Sequence, residues 1–231
     1  MAKSALILPG LLEDADAFEH QLPVLREIAT CVVADLTRGE TIAELSEQAL
    51  QQAPPGPLAV IGHSMGGYVA LEIARRAPQR LERLALLNTH ARADTPESTQ
   101  NRRRLMALSQ KDFPGVIDAL TPKLLAPSHQ EDIGMAGVIS EMALGVGTEA
   151  FVRQERAIIA RIDSRPHLAA IRCPALVTAG REDQIMPLEW LEELARGIPS
   201  SRLEVLEDCG HMAPIEQPEE VARLLRRWLE T

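Results

Sequence analysis

The chain has 231 residues, 45% apolar, 25% charged and only 3% aromatic, with 24 Lys and Arg against 33 Asp and Glu for a net charge of −9. That length suits one domain with an insertion. The acidity argues against a general nucleic-acid or anionic-membrane partner, and so few aromatics leave no stacking platform for bases.

The first apolar run, Ala5–Leu8, is closed by Pro9-Gly10. It is too short for a signal peptide or a membrane span and predicts a buried strand followed by a turn. Phe18, Leu22, Leu25 and Ile28 recur at helical spacing and predict a helix over 16–29; residues 31–35 read as a strand. A helix over 41–52 starts with Thr41 as N-cap and Glu44 completing a capping box, and Pro54-Pro55-Gly56-Pro57 ends it. Residues 58–61 read as a strand, 65–76 as a helix and 84–87 as a strand. From 92 to 168 the pattern is helical with no convincing strand. The strand rhythm resumes at 175–178, then a helix at 187–196, a strand at 203–206 and a helix over 218–229 after Pro218.

Strands alternating with helices predict an α/β fold, a mostly parallel sheet with helices on both faces. The core is expected to comprise residues 1–91 and 169–231, with 92–168 as a helical insertion. Sheets of this kind bind ligands at the carboxyl ends of their strands. Cys31, Cys173 and Cys209 form no CxxC pair, so neither a zinc knuckle nor a disulfide scaffold is indicated, and reduced thiols in a cytoplasm are the expectation.

Gly62-His63-Ser64-Met65-Gly66 stands where a strand becomes a helix. Gly-x-Ser-x-Gly at such a sharp turn is a nucleophile elbow, in which the glycines remove side chains that would collide and the helix N-terminus favours negative charge at the serine. A serine hydroxyl needs a histidine base, itself oriented by a carboxylate. His211, in the loop after the last strand, is the expected base. Asp183, after the strand at 175–178, is the expected acid, with Glu182 and Asp208 as rivals. His63 adjoins Ser64 but is expected to point away from it. His20, His129 and His167 are expected to be solvated or local, and His90 is the remaining histidine best placed to face the pocket. Two backbone N–H donors are needed for an oxyanion. Met65 is one, and Leu11 the other, with Leu12 as its alternative. Leu12, Tyr68, His90 and Met212 are the expected substrate-binding residues, Tyr68 also packing in the core with its hydroxyl bonded. Arg102-Arg103-Arg104 is expected to be a solvated helix face rather than a substrate-steering cluster. Met106, Met135 and Met142 are expected to pack within the helical insertion.

The segments LILPG, GHSMGGY, GRED and CGHMAPIEQPEEV, spanning residues 6–221, resemble the α/β-hydrolase family. The resemblance implies Ser64 as nucleophile, Asp183 as orienting acid, His211 as base, and the Leu11 and Met65 N–H groups as the oxyanion hole. The 92–168 insertion looks like the helical cap that shapes the substrate pocket in this family. Pro9-Gly10 departs from the His-Gly common there, so the hydrogen bonds of that histidine are missing. Residues 87–92 look like the enol-lactonase and small-ester branch. The implied function is hydrolysis of a small-molecule carboxylic ester, lactone or thioester through an acyl-enzyme at Ser64, with no cofactor required. The alternatives are a non-catalytic ligand receptor, or C–C hydrolysis, acyl transfer or perhydrolysis by the same triad.

Overall fold

Each strand is short, and the buried residues of the central strands alternate between opposite sides. Leu6, Leu58, Val60, Leu84, Leu86 and Val177 point into one core; Ile7, Ala59, Ile61, Ala85, Leu87 and Leu176 point into another. A sheet buried on both faces in this way must be covered by helices, which is the condition for parallel pairing. The computed structural model describes residues 3–231. Its six strands are β1 (Lys3–Leu8), β2 (Ala29–Val33), β3 (Leu58–His63), β4 (Leu81–Leu87), β5 (Ala175–Gly180) and β6 (Ser201–Leu206). All pair in parallel, in the order β2-β1-β3-β4-β5-β6.

Helices α2 (Ile42–Gln52), α3 (Met65–Arg76) and α8 (Leu188–Gly197) cover the first core. Helices α1 (Gln21–Arg26) and α10 (Pro218–Glu230) cover the second. Between β4 and β5 the chain forms α4 (Pro96–Ser109), α5 (Phe113–Leu124), α6 (Ile133–Val146) and α7 (Thr148–Ile159). A short α9 (Ala213–Glu216) follows β6. The capping box at α2 forms as expected: the Thr41 hydroxyl accepts the Glu44 N–H at 3.1 Å, and the Glu44 carboxylate accepts the Glu40 N–H at 2.8 Å. No single helix among the described residues is long and apolar enough to cross a membrane.

Several boundaries differ from the sequence reading: β3 and β5 each run two residues further, β4 starts three residues earlier and β6 two earlier. The helix expected over 16–29 is split into a 3-10 turn at Ala15–Phe18 and α1 at Gln21–Arg26. The Asp14 carboxylate caps the turn, and Pro23 lies in the first turn of α1, where its missing N–H costs nothing. β2 starts two residues earlier than expected, because Ala29 and Thr30 pair with Lys3 and Ser4 in register.

The strand order reverses at β1, which sends the chain to β2 on one side and pairs with β3 on the other. The crevice at such a switch point lies beyond the carboxyl ends of the strands. The turn after β1 and the turn after β3 meet there with little room. A β-carbon on Gly66 would collide with the Leu8 carbonyl oxygen, and one on Gly62 with the Gly66 carbonyl. Gly66→Ala is therefore expected to destabilise the protein by about 1–3 kcal/mol or more, measured as a lowered urea midpoint. An unchanged midpoint would mean that this contact does not constrain the fold.

Candidate functional site

Ser64 sits between β3 and α3 with φ 49° and ψ −116°, a region that non-glycine residues rarely occupy. Three bonds hold it there. Its N–H donates to the Leu87 carbonyl (2.9 Å), and its own carbonyl accepts the Gly67 N–H (2.9 Å) and the Thr89 hydroxyl (2.8 Å).

The Ser64 hydroxyl lies 2.8 Å from His211 Nε2, and His211 Nδ1 lies 2.8 Å from Asp183 Oδ2. All three residues are buried. Nδ1–H donates to the carboxylate, so Nε2 carries the lone pair that accepts the serine proton. Asp183 also accepts the Ile185 and Met186 N–H groups at Oδ1 (2.8 and 2.9 Å) and the Asn88 side-chain amide at Oδ2 (3.0 Å). Burial alone would raise its pKa, but His211, Asn88 and the Met186 N–H hold the carboxyl below its ordinary range.

The rivals have other partners. Glu182 accepts the Cys209 N–H at 2.9 Å. Asp208 is largely exposed and faces His129. His20 and His167 are exposed, and His129 pairs with Glu216.

Near Ser64 the turn after β1 presents the Leu11 and Leu12 N–H groups, and the start of α3 presents that of Met65. Leu12 N–H donates to Gln154 Oε1 on α7 at 3.1 Å. Among the described residues, Leu11 N–H and Met65 N–H have no acceptor. Of the two donors weighed from the sequence, Leu11 is the one left free.

Three supporting residues escaped the sequence reading. Glu216 is buried and accepts the Gly210, Met212 and Ala126 N–H groups (3.0, 3.1 and 2.7 Å), which holds the His211 loop in place. Asn88 bridges Asp183 to the Gly210 carbonyl. Glu13 is the third. It accepts the Gly10 N–H (2.7 Å) and the Nδ1–H of His63 (2.8 and 2.9 Å), while His63 Nε2–H donates to the His211 carbonyl (2.8 Å). The His63 ring is fully buried, and both its nitrogens are taken up by Glu13 and the His211 carbonyl rather than by Ser64. Burial opposes its charge, but the Glu13 carboxylate beside it and the His211 carbonyl raise its pKa above 6.5. Glu13 and His63 thus join the turn after β1, the elbow and the histidine loop.

A cavity of about 530 Å³ opens onto these groups. Ser64, Leu11, Met65 and His211 line it, as do all four expected substrate-binding residues, Leu12, Tyr68, His90 and Met212. Tyr68 is 3.1 Å from His90 Nε2 through its hydroxyl. Arg103 and Arg104 are exposed, but Arg102 corrects the expectation of a solvated face. It turns into the cavity wall and pairs with Glu155 at 2.7 Å, because on a helix the three consecutive side chains diverge. Met142 lines the cavity as well as packing in the core. Among the described residues no group of three or more His, Cys, Asp or Glu side chains is arranged to hold a metal ion.

Comparison with known proteins matches residues 6–224 to the alpha/beta hydrolase family. A pimeloyl-(acyl-carrier protein) methyl ester esterase of Aromatoleum aromaticum is 29% identical over 81% of this chain and 80% of its own length. A 2-hydroxymuconate semialdehyde hydrolase of Pseudomonas putida is 32% identical over 74% of this chain and 61% of its own. Among solved structures, a thermophilic esterase from Thermogutta terrifontis superposes with a TM-score of 0.89 at 30% identity, covering 99% of this chain and 89% of that one. An enol-lactonase from Burkholderia xenovorans LB400 shares the fold, with a TM-score of 0.90 at 24% identity over 100% and 92% of the two chains.

The raised pKa of His63 has a sign that can be checked. Its contribution to stability is complete below about pH 6.5, the unfolded value, and is lost as pH rises through the higher folded value. His63→Gln is expected to flatten this part of the stability profile, measured by urea unfolding from pH 6 to pH 9. Parallel profiles for the two proteins would remove the charged pair from the account.

Proposed function

The chain belongs to the alpha/beta hydrolase family, and on that premise we propose that it is a serine hydrolase cleaving a small-molecule carboxylic ester, lactone or thioester. The observation that carries this reading is the unbroken relay of two 2.8 Å contacts from Ser64 through His211 to Asp183. A relative named as a methyl ester esterase and a structural relative described as an esterase support the class of bond.

In this reading Ser64 Oγ attacks the carbonyl carbon while its proton passes to His211 Nε2. Asp183 stabilises the imidazolium that forms. The oxyanion accepts hydrogen bonds from the Leu11 and Met65 N–H groups, and the N-terminus of α3 adds its partial positive charge. His211 returns the proton to the departing alkoxide or thiolate as the carbonyl–heteroatom bond breaks, which leaves an acyl group on Ser64. Water, deprotonated by the same nitrogen, then attacks the acyl carbon, and the Ser64 oxygen leaves with the proton. Loss of one oxyanion donor costs about 10²–10³ in kcat in other serine hydrolases.

Residues 92–168 act in this reading as a cap over the remainder of the chain, since α4, α5, α6 and α7 supply much of the cavity wall. Cys31, Cys173 and Cys209 are free thiols, which suits a cytoplasmic setting. The test is hydrolysis of 4-nitrophenyl esters of graded acyl length and of a small lactone by wild type and Ser64→Ala in parallel. The variant is expected to lose about 10³–10⁶ in kcat. Equal activity in the two proteins would remove Ser64 from the mechanism.

A further inference from the structure

The cavity wall has two chemically different parts. Leu105, Ile117, Leu120, Ile139 and Met142 line one; Tyr68, Arg92, Asp94, Arg102, Glu155 and Arg161 line the other. Ile139 and Met142 belong to the core under α1 and α10, whereas Tyr68 belongs to the core under α2, α3 and α8. Side chains from both cores therefore meet in its wall.

In the polar part several donors are left over. The Arg161 side chain is only 6% exposed. Its Nε–H donates to the Arg92 carbonyl (2.9 Å), and Nη1 donates to Asp94 Oδ1 (3.0 Å) and the Ile158 carbonyl (2.8 Å). Arg102 Nη1 donates to Glu155 Oε2 at 2.7 Å, and its Nε approaches the same Asp94 oxygen at 3.4 Å. Among the described residues neither Nη2 has an acceptor, and neither is a buried orphan, so each retains accessible surface. The nearby carboxylates of Glu193 and Asp163 accept from Arg92 and Arg165 instead.

Tyr68 adds a third donor, and the tautomer of His90 shows why. His90 Nδ1 accepts the Arg92 N–H at 3.0 Å. Burial and the charges of Arg161, Arg92 and Arg102 push the His90 pKa down to about 3, so the ring is neutral. Its single proton is on Nε2 and donates to the Tyr68 oxygen at 3.1 Å. The Tyr68 hydroxyl proton is left without an acceptor among the described residues, on a side chain one turn after Ser64 and 5% exposed. The Arg161 guanidinium carbon stands 4.5 Å from the centre of the same ring.

We propose that Tyr68, Arg102 and Arg161 form a carboxylate-binding subsite, so that the substrate carries an anionic group together with a hydrocarbon part, on one side or the other of the bond that Ser64 attacks. A carboxylate is the group that accepts from several such donors at once, and two guanidinium groups sharing Asp94 leave cationic N–H groups for it. The substrate class rests on the serine hydrolase reading of Ser64, but the subsite can be tested apart from it.

Ser64→Ala protein is titrated calorimetrically with monomethyl adipate and with methyl hexanoate, and with 4-(butanoyloxy)benzoate and phenyl butanoate. Wild type is assayed on the same pairs by proton release. The first pair carries the anion on the acyl side, the second on the leaving group. The anionic member of at least one pair is expected to bind about 10- to 100-fold more tightly and to show the same preference in kcat/KM. Tyr68→Phe and Arg161→Gln, each made in the Ser64→Ala background as well, are expected to cut that ratio about tenfold. Tyr68→Phe keeps the shape of the side chain and decides the matter if Arg161→Gln does not fold. Equal affinity within both pairs, or a preference that Tyr68→Phe leaves intact, overturns the subsite. If wild type turns over none of these esters, the hydrolase reading fails while the calorimetric ratio still decides the subsite.

Discussion

The start of α3 lies so close to the end of β1 that only a hydrogen fits between the Gly66 α-carbon and the Leu8 carbonyl. This approach brings the Met65 N–H beside the turn that carries Leu11, and it sets the angle at which Ser64 leaves the sheet. The backbone pays at Ser64, where φ is 49°. The same cost recurs at Leu12 (φ 61°), Asn88 (φ 46°) and Asp208 (φ 51°), after β1, β4 and β6. All four positive-φ residues other than glycine among the described residues therefore stand beyond the carboxyl ends of strands. Such strain persists only where the surroundings over-determine it, and here the surroundings are the paired strands beneath and the buried acids above.

Three buried carboxylates do much of that holding. Asp183 collects two backbone N–H groups, an amide and an imidazole. Glu216 collects three backbone N–H groups and His129, and Glu13 collects Gly10 and His63. Each acid gathers donors from loops that could not otherwise satisfy their backbones out of water. Only Asp183 touches His211 directly. The other two act on where that histidine and the turn after β1 are held.

All six strands and the helix after Ser64 were legible in the sequence, because their apolar runs are local and bounded by Gly, Pro or capping residues. Ser64, Asp183 and His211 were legible for a related reason: each follows a strand, and chain order alone sorts them. What was not legible depends on contacts across the chain. Glu13 meets His63 fifty residues away, and Asn88 meets Asp183 ninety-five away. No local pattern marks either pair. Arg102 was misjudged because its neighbours Arg103 and Arg104 do face solvent, and only the packing of α4 against α7 shows which of three charges turns inward. The split of the first helical segment reflects local competition, where an Asp14 cap closed a short turn before α1 began.

Gln154 ties these levels together. From α7 its side-chain oxygen accepts the Leu12 N–H, and its amide donates to the Leu36 carbonyl at 3.2 Å beyond β2. It is wholly buried. The helices that wall the cavity and the turn that faces Ser64 therefore share one pair of hydrogen bonds. Without Gln154 the Leu12 N–H would be a buried backbone donor left unpaired at a residue with positive φ. A substitution on α7 that displaced Gln154 would therefore act on the turn that faces Ser64, with no contact of its own to either Ser64 or His211.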